Sequence, residues 1–270
     1  MKKRIISLLL VISLAITSLM LVSCEYTHVN DGTIYGDKYE NSENYKVGNC
    51  KINYNEFDEV QINWEIGDIS IKQTQNAYIG IYENVRDAIE PYKMHYIIED
   101  RVLKVQFWES NYSAKLLNEG DKDLTIELPA TMDGNLKIDS VSSNIVCSGS
   151  LKLNNGEFEN ISGKIELRDI ATKTLKVSSI SGNVDIYRLD AKSASISSIS
   201  GNLSVSLKSI EELSIESISG NINLKLNLVG ATIDFNTVSG NYYAENDAKK
   251  FGNGAAKIDA ETISGNLEIN

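Results

Sequence analysis

The chain has 270 residues, 42% of them hydrophobic, and a formal net charge of −11. Its length allows one large or two small domains with a packed core. The negative charge argues against nucleic acid and against a flat anionic membrane surface as partners, because both repel an acidic protein.

Residues 1–23 have the features of a bacterial lipoprotein signal peptide. Lys2, Lys3 and Arg4 precede an apolar stretch over residues 5–22, as in a secretory leader. The stretch ends Leu-Val-Ser-Cys24, which resembles a lipobox whose cysteine receives the lipid. An ordinary cleaved signal and an uncleaved span of minimal length are the alternatives. We expect Cys24 to anchor the protein to membrane lipid, facing the outside of the cell.

Residues 24–55 are polar and lack a sustained period. This composition predicts a tether between the lipid and the fold. The tyrosines are more numerous than a flexible linker needs, which indicates that part of the segment packs on the end of the fold. They are Tyr26, Tyr35, Tyr39, Tyr45 and Tyr54.

Residues 56–130 alternate apolar and polar side chains in several stretches, the period of half-buried strands. Gly67 and Asp68 stand in one of them where Gly-Asn stands later in the chain, so this stretch resembles a shortened repeat. We interpret this part as a β-rich N-terminal cap that covers the first open edge of the repeats.

Residues 131–270 contain one motif seven times, most simply Ile-Ser-Gly-Asn flanked by alternating apolar residues. Most copies are 19 or 20 residues apart, and the last step is 25 residues. A fixed period of this size predicts stacked repeats that bury their apolar faces against each other. The copies begin at Val141, Ile161, Ile180, Ile199, Ile218, Val238 and Ile263.

Each repeat predicts a strand, a tight turn, a second strand and a looser turn. Two arrangements fit: an all-β solenoid in which equivalent strands stack in parallel, or an array of hairpins with Gly-Asn as a two-residue turn. We favour the β-solenoid, because only stacking explains why Ser or Thr recurs before the Ile, at a narrow interior corner. These small residues are Ser179, Ser198, Ser217, Thr237 and Thr262.

The turn residues have a structural interpretation. Gly suits a backbone with positive φ, and Asn either tolerates that backbone or hydrogen-bonds to the Asn of the next coil. The turn residues are Gly163, Gly182, Asn183, Gly201, Asn202, Gly220, Asn221, Gly240, Asn241, Gly265 and Asn266.

The chemistry-bearing residues do not form an evident active site or metal site. Cys50 and Cys147 could form a disulfide from the N-terminal segment to the first coil, or Cys147 could be a buried thiol. His28 and His95 lack triad-like or metal-ligand spacing and are interpreted as surface or packed residues. We therefore expect no cofactor, no metal and no catalytic residue.

One acidic pair favours a different hypothesis. Glu166 and Asp185 fall at equivalent outward positions of adjacent repeats, where they could bind Ca²⁺ or act in glycoside hydrolysis. No third acidic residue joins them on that row, so solvated charges are the better interpretation. A polysaccharide-active β-helix enzyme remains a minor alternative.

The last repeats hold a polar excursion at residues 244–254, interpreted as a tolerated insertion, with binding as the alternative. The final strand ends at Asn270 without a polar cap. Its edge is therefore either short enough to be harmless or covered by another molecule.

The repeated Ile-Ser-Gly-Asn units over about residues 56–270 resemble the bacterial putative-adhesin family of β-strand-repeat domains of unknown function. The first copy departs from the motif at Ser143 and the second at Lys164. The resemblance implies a right-handed single-stranded β-helix and no established catalytic residues. It suggests a cell-surface adhesin that binds a protein or glycan. The alternative is an envelope-stress or signalling lipoprotein that binds a membrane partner through its N-terminal half.

Overall fold

A computed structural model describes residues 33–85, 89–115 and 122–270. Over these residues the chain is built from strands joined by short turns, as the alternating pattern predicts. The strands are β1 (Thr33–Tyr35), β2 (Lys46–Val47), β3 (Cys50–Asn53), β4 (Glu59–Ile66), β5 (Ile69–Thr74), β6 (Tyr78–Val85), β7 (His95–Glu99), β8 (Val102–Gln106), β9 (Ser113–Lys115), β10 (Lys122–Pro129), β11 (Asn135–Ser142), β12 (Ile145–Cys147), β13 (Leu151–Lys152), β14 (Asn155–Ser162), β15 (Ile165–Arg168), β16 (Ile170–Ser179), β17 (Val184–Ser198), β18 (Leu203–Ser209), β19 (Glu212–Ser217), β20 (Ile222–Leu226), β21 (Gly230–Thr237), β22 (Tyr242–Tyr243), β23 (Lys250–Gly252), β24 (Ala256–Thr262) and β25 (Leu267–Ile269). Four 3-10 turns lie at Ser42–Asn44, Tyr54–Glu56, Glu90–Tyr92 and Glu245–Asp247.

The strands that precede each Ser-Gly-Asn turn form a parallel ladder, here called the first ladder. Its spatial order is β8, β4, β11, β14, β16, β17, β19, β24 and β21. Equivalent residues pair across it, for example Leu175 with Ala194 and Ala194 with Leu213. Like positions therefore stack on like, as a solenoid requires.

The strands that follow each turn form the second ladder, also parallel. Its spatial order is β10, β5, β12, β15, β17, β18, β20, β25 and β22. The two strands that flank one turn, such as β19 and β20, pair with neighbouring coils and not with each other. The solenoid prediction is confirmed in its all-β, stacked character, and the hairpin alternative is wrong.

Inward side chains of the two ladders form one continuous apolar core. A typical row of the first ladder runs Ile62, Ile138, Phe158, Val177 and Ile196, all 0% exposed. Burying each such side chain stabilises the fold by about 1.5–3 kcal/mol. Since each coil contributes only a few of them, the coils must stack to be stable.

The spatial order of the coils departs from chain order at the C-terminal end. Strand β24 pairs with β19 on one side and with β21 on the other, and β25 lies likewise between β20 and β22. The last repeat is thus inserted between the two repeats before it. This corrects the expectation that the strand before Asn270 forms the final edge, because β25 has a paired strand on each side.

A similar inversion occurs at the N-terminal end. Strand β4 lies between β8 and β11, and β5 lies between β10 and β12. Residues around Gly67 and Asp68 therefore form a true layer of the ladders, which explains their likeness to the repeat. Beyond it, β7 and β6 pair antiparallel with β8 and β10 and close this end of the stack.

The expected tether is in part a component of the fold. Strand β2 pairs with β7, and β3 pairs with β6. The hydroxyl of Tyr39 donates to Trp108 O at 2.9 Å. The described segment from residue 33 onward therefore pairs and packs against the N-terminal end, and this part of residues 24–55 belongs to the fold.

Candidate functional site: the outer face of the first ladder

In three repeats the Ser before the Ile holds the turn by a hydrogen bond, whereas the equivalent hydroxyls of Thr237 and Thr262 are buried without a partner among the described residues. The Oγ atoms of Ser179, Ser198 and Ser217 accept from the backbone N–H of Gly182, Gly201 and Gly220 at 2.8–2.9 Å. All three serines are at most 5% exposed. A buried hydroxyl with a hydrogen-bond partner avoids a desolvation penalty, so the predicted narrow corner is also a hydrogen-bonded one.

The turn glycines are required chiefly because neighbouring backbones touch. A Cβ on Gly201 would lie 1.9 Å from Gly182 O, and a Cβ on Gly182 would lie 1.7 Å from Gly163 O. Positive φ is found at Gly163 (105°) and Gly67 (99°) but not at the turn glycines of the later repeats. The predicted positive-φ role is therefore right for Gly163 and wrong for Gly182, Gly201, Gly220, Gly240 and Gly265.

The Asn residues form a directional file along the stack. The side-chain Oδ1 of Asn183 accepts from the backbone N–H of Asn202 at 2.9 Å, and Asn202 does the same for Asn221 at 3.0 Å. The file continues in spatial order through Asn266 to Asn241. The prediction that Asn bonds to the next coil is confirmed, whereas none of these residues has positive φ.

The Ile of each repeat points outward. In a repeat such as Leu-x-Val-x-Ser-Ile, the Leu, the Val and the Ser point inward at alternate positions of the strand. The Ile directly after the Ser therefore falls on the outer face. The resulting aliphatic row is half-exposed over six members, and its last member, Val238, is 56% exposed. The sequence contained this signal, because the strand parity alone assigns these residues to the surface. The row is Val141, Ile161, Ile180, Ile199, Ile218, Ile263 and Val238.

A groove crosses this face nearer the start of the first-ladder strands, with polar side chains along a largely apolar floor. It consists of two adjoining depressions of about 410 and 320 Å³ that share Glu212 and Ser214. The groove spans five strands of the first ladder, about 19 Å at the usual strand spacing. Its polar lining is Thr174, Lys176, Ser193, Ser195, Glu212, Ser214, Thr232, Asp234, Lys257 and Asp259.

A smaller acidic cleft lies at the N-terminal end of the same face, beneath Asp37 and Tyr39. It encloses about 40 Å³ and is lined by Glu65, Asp139 and Glu159 among others. This volume admits about three water molecules and no sugar ring. Burial raises the pKa of Asp139 to about 6, with Lys137 opposing the shift and Glu159 adding to it.

Asp139→Asn should stabilise the protein at neutral pH by about 1–3 kcal/mol, since two pKa units correspond to about 3 kcal/mol at most. The folded carboxyl holds its proton up to about pH 6, whereas the unfolded one releases it near pH 4. Its contribution to stability therefore falls as pH rises through that window. Urea unfolding between pH 4 and 7.5 measures the difference, which should vanish at the acid end.

Glu157→Gln provides the matched control on the same face. Burial disfavours the Glu157 carboxylate, but hydrogen bonds from Lys176 and Lys137 outweigh it and lower the pKa. This variant should lose stability at neutral pH, with the loss disappearing as pH falls. Equal pH profiles for the two variants would contradict the opposite environments of the two carboxyls.

Glu166 and Asp185 are adjacent, as predicted, but a lysine joins them. Lys164 Nζ lies 2.7 Å from Glu166 Oε2 and 2.9 Å from Asp185 Oδ2. Hydrogen bonds from Lys164 and Arg168 lower the pKa of Glu166. A glycosidase acid needs a raised pKa, so this pair is unsuited to that role. The departure of the second repeat from Asn to Lys164 thus serves an ion-pair network.

The two cysteines in the described residues do not pair. Both are buried free thiols, and they lie in one row of the second ladder with Ile81, Ile126 and Ile71 between them. Four strand spacings separate them by about 19 Å, whereas a disulfide needs Cα atoms within about 7 Å. The disulfide alternative for Cys50 and Cys147 is wrong, and the buried-thiol interpretation of Cys147 is confirmed.

Of the remaining predicted residues, His95 lies within the described part of the chain. His95 is 6% exposed with Nδ1 2.9 Å from Lys93 O, and burial lowers its pKa, so it is a packed residue. Cys24 and His28 lie outside the described residues. Over the described ranges there is no cluster of three or more potential metal ligands. No helix in this part of the chain has the length and apolarity that a membrane crossing requires.

One residue with unusual chemistry was missed by the sequence-based interpretation. Lys122 begins β10 on its inward side and is 1% exposed. Its Nζ lies 3.5 Å from Glu83 Oε2 and 4.1 Å from the ring centroid of Phe107. The alternation of β10 was the available signal, because residues 122, 124, 126 and 128 share one face.

Several solved bacterial structures are similar to this chain. A putative adhesin from Bacteroides fragilis NCTC 9343 is 16% identical, with a TM-score of 0.51 over 83% of this chain and 97% of that chain. A putative adhesin from Parabacteroides merdae ATCC 43184 is 15% identical, with a TM-score of 0.48 over 84% of this chain and 97% of that one. A putative lipid binding protein from Parabacteroides distasonis ATCC 8503 is 18% identical, with a TM-score of 0.46 over 83% and 96%.

The first of these likenesses supports the fold alone. A search of curated proteins found no match. The family described as Toastrack DUF4097 matches residues 57–270, which confirms the resemblance drawn from the repeat motif. Since this match spans most of the sequence, the chain belongs to the Toastrack DUF4097 family.

Proposed function

We propose that this protein is a non-catalytic interaction module of the bacterial cell surface, an adhesin-type protein that binds a protein or glycan. The observation that carries the proposal is the groove on the outer face of the first ladder. Its lining offers hydroxyls and charges of both signs, including Ser195, Ser214 and Lys257. These groups form hydrogen bonds without needing a reactive centre. Structural relatives described as adhesins support the same role.

A lipid anchor on Cys24 would hold the module at the cell membrane, facing outward. The right-handed path of the solenoid is part of the same proposal. The rigid stack would carry the groove away from the lipid, since the groove lies in the later coils. Enzymatic activity is disfavoured, because the acidic pair considered for glycoside hydrolysis, Glu166 and Asp185, is bridged by Lys164.

Arginine substitutions that fill the groove test this function. Ser195→Arg with Ser214→Arg places two large cations in the groove, while Ser204→Arg puts the same change on the exposed outer side of the second ladder. Whole cells that display each full-length protein are applied to immobilised extracellular-matrix proteins and to a glycan array. We expect the groove variant to lose binding and Ser204→Arg to retain it. Absence of binding by the unaltered protein, or equal binding by all three, would refute the proposal.

A regulatory role in the cell's own envelope is the second candidate. It is favoured by the acidic cleft beneath Asp37 and Tyr39, which lies at the end nearer Cys24 in sequence. Proximity labelling on intact cells separates the two functions, with one tag just after Cys24 and another on β25. Envelope proteins recovered mainly at the first tag would favour the regulator. Foreign-cell or matrix components recovered only at the second would favour the adhesin.

A further inference from the structure

The two ends of the stack differ in how their edges are covered. At the N-terminal end, antiparallel strands β7 and β6 follow the last parallel strands. At the other end, β21 is the last strand of the first ladder, and β23 covers only its residues Gly230, Ala231 and Thr232. In the described part of the chain, no strand pairs with the outer edge of residues 234–237.

The backbone of this edge points outward. The backbone N–H of Val238 points toward the ladder and donates to Thr262 O on β24. The backbone N–H of Ile233 points away from the ladder and donates to Lys249 O. Because hydrogen-bonding direction alternates along a strand, the N–H and C=O groups of Phe235 and Thr237 face away from the ladder. They form a template for one further strand.

The Asn file ends at the same edge. Along the file each Asn side-chain oxygen accepts the backbone N–H of the next coil, ending where the N–H of Asn241 donates to Asn266 Oδ1 at 2.9 Å. Asn241 is the last of the file, so its own Oδ1 is positioned for the N–H of a further coil. Beside it, Val238 is 56% exposed and Tyr243 is 52% exposed. Two of the large exposed apolar side chains therefore mark this end.

The charge of the neighbouring face defines the partner. The outward rows next to the edge carry Asp234 with Asp259, and Glu261 with Glu216. Lys249 and Lys250 lie at the half of β21 that β23 covers. A second copy of this chain, with a net charge of −11, would bring like charges together. A segment with basic residues at alternate positions would instead be attracted by the negative charge of these rows.

We propose that the open edge of β21 binds an extended, basic segment of a partner protein as an additional parallel strand. Lys or Arg side chains of that segment would lie beside Asp234 and Asn236, with Glu261 one strand further into the ladder, and apolar side chains at the alternate positions would cover Phe235. The proposal rests on the interaction function proposed above and specifies one class of partner and its mode of binding.

The test uses the full-length protein and a synthetic peptide of alternating Lys and Val, with a Glu-Val peptide of equal length as control. Fluorescence anisotropy should detect binding of the Lys-Val peptide alone, weakening as salt rises. Amide hydrogen exchange on the unaltered protein should show new protection at Phe235 and Thr237. Binding without this protection, or no binding at all, would overturn the proposal.

Three variants locate the site. Thr237→Pro removes an outward N–H without removing a bond to β24 and should weaken binding by about tenfold or more. Asp234→Lys should weaken it several-fold at low salt. Glu268→Lys, on the exposed second-ladder side of β25, should leave it unchanged. Equal losses for Asp234→Lys and Glu268→Lys would reduce the effect to overall charge and refute the site.

The peptide-binding test of the β21 edge can fail or succeed independently of the cell-binding test of the groove. The groove variant Ser195→Arg with Ser214→Arg should bind the Lys-Val peptide normally. If the peptide fails while cell binding still depends on the groove, the edge proposal falls alone. Self-association of the unaltered protein that Thr237→Pro abolishes would assign the edge to a second copy, and would also overturn it.

Discussion

Gly201→Ala should destabilise the protein by about 3 kcal/mol or more, among the largest effects expected of a single substitution. The added Cβ would lie 1.9 Å from Gly182 O, and the carbonyl of Gly201 itself lies equally close to the Cβ position of Gly220. The two atoms closest to the new Cβ, Gly182 O and Gly182 C, are backbone and cannot rotate away. Relief requires the coils to separate, which breaks ladder hydrogen bonds on both sides of the turn.

Gly149→Ala is the matched control. No atom lies within 4 Å of its Cβ position and its φ is not positive, so the change should stay within about 0.5 kcal/mol. Urea unfolding followed by far-UV circular dichroism compares the two variants with the unaltered protein. If Gly201→Ala were as stable as Gly149→Ala, close approach of the coils could not be the reason for glycine at this position.

Predictions that depend on the period of the repeat were correct, whereas the spatial order of the coils could not be predicted from it. Ladder register follows from period alone, because inward residues such as Val177 and Ile196 must stack to be buried. The order of the coils does not follow from period, since every Ser-Gly-Asn turn presents nearly the same surface to its neighbours. The 25-residue step before Gly265 was the one sign that the chain passes over a coil position and returns to it.

Residues 244–254 acquire a role from this inversion. They were interpreted as a tolerated insertion, but they carry the chain from the terminal coil back to the layer beneath it. On the way, β23 pairs with β21, and the hydroxyl of Tyr242 donates to Ala248 O. The segment therefore covers half of the open end. Sequence periodicity could not show this, because the segment lies outside the repeat.

The turn glycines show a different limit. Sequence alone indicates that glycine is needed but not which of two physical reasons applies. Positive φ and backbone contact between coils both exclude a Cβ. Gly163 and Gly201 occupy the same motif position, yet the first has a φ of 105° and the second is not in that region. Both also approach the backbone of the neighbouring coil, since a Cβ on Gly163 would lie 2.3 Å from Ser143 O. Gly163 therefore has both reasons to be glycine and Gly201 only the second, a difference in backbone conformation that the shared motif does not reveal.

Lys122→Met should cost about 3–5 kcal/mol, because it leaves the partner charge of a buried ion pair uncompensated. Glu83 and Lys122 have side chains that are 3% and 0% exposed. Lys122 also donates to the carbonyl oxygens of Tyr92 and Phe107 and lies over three aromatic rings. Burial lowers the pKa of Lys122 to about 8, and Glu83 opposes that shift, so the lysine is charged at neutral pH.

The double variant Lys122→Met with Glu83→Gln distinguishes charge from packing. A Gln side chain can still accept from the Met94 N–H, which Glu83 accepts at 2.9 Å, so the double variant should regain at least about 1–2 kcal/mol. In Lys122→Met alone, a folded Glu83 pKa above the unfolded value makes stability rise as pH falls from 7 toward 5. The double variant should lack that slope. A single variant as stable as the unaltered protein, with a flat pH profile, would mean that Glu83 does not need the lysine charge.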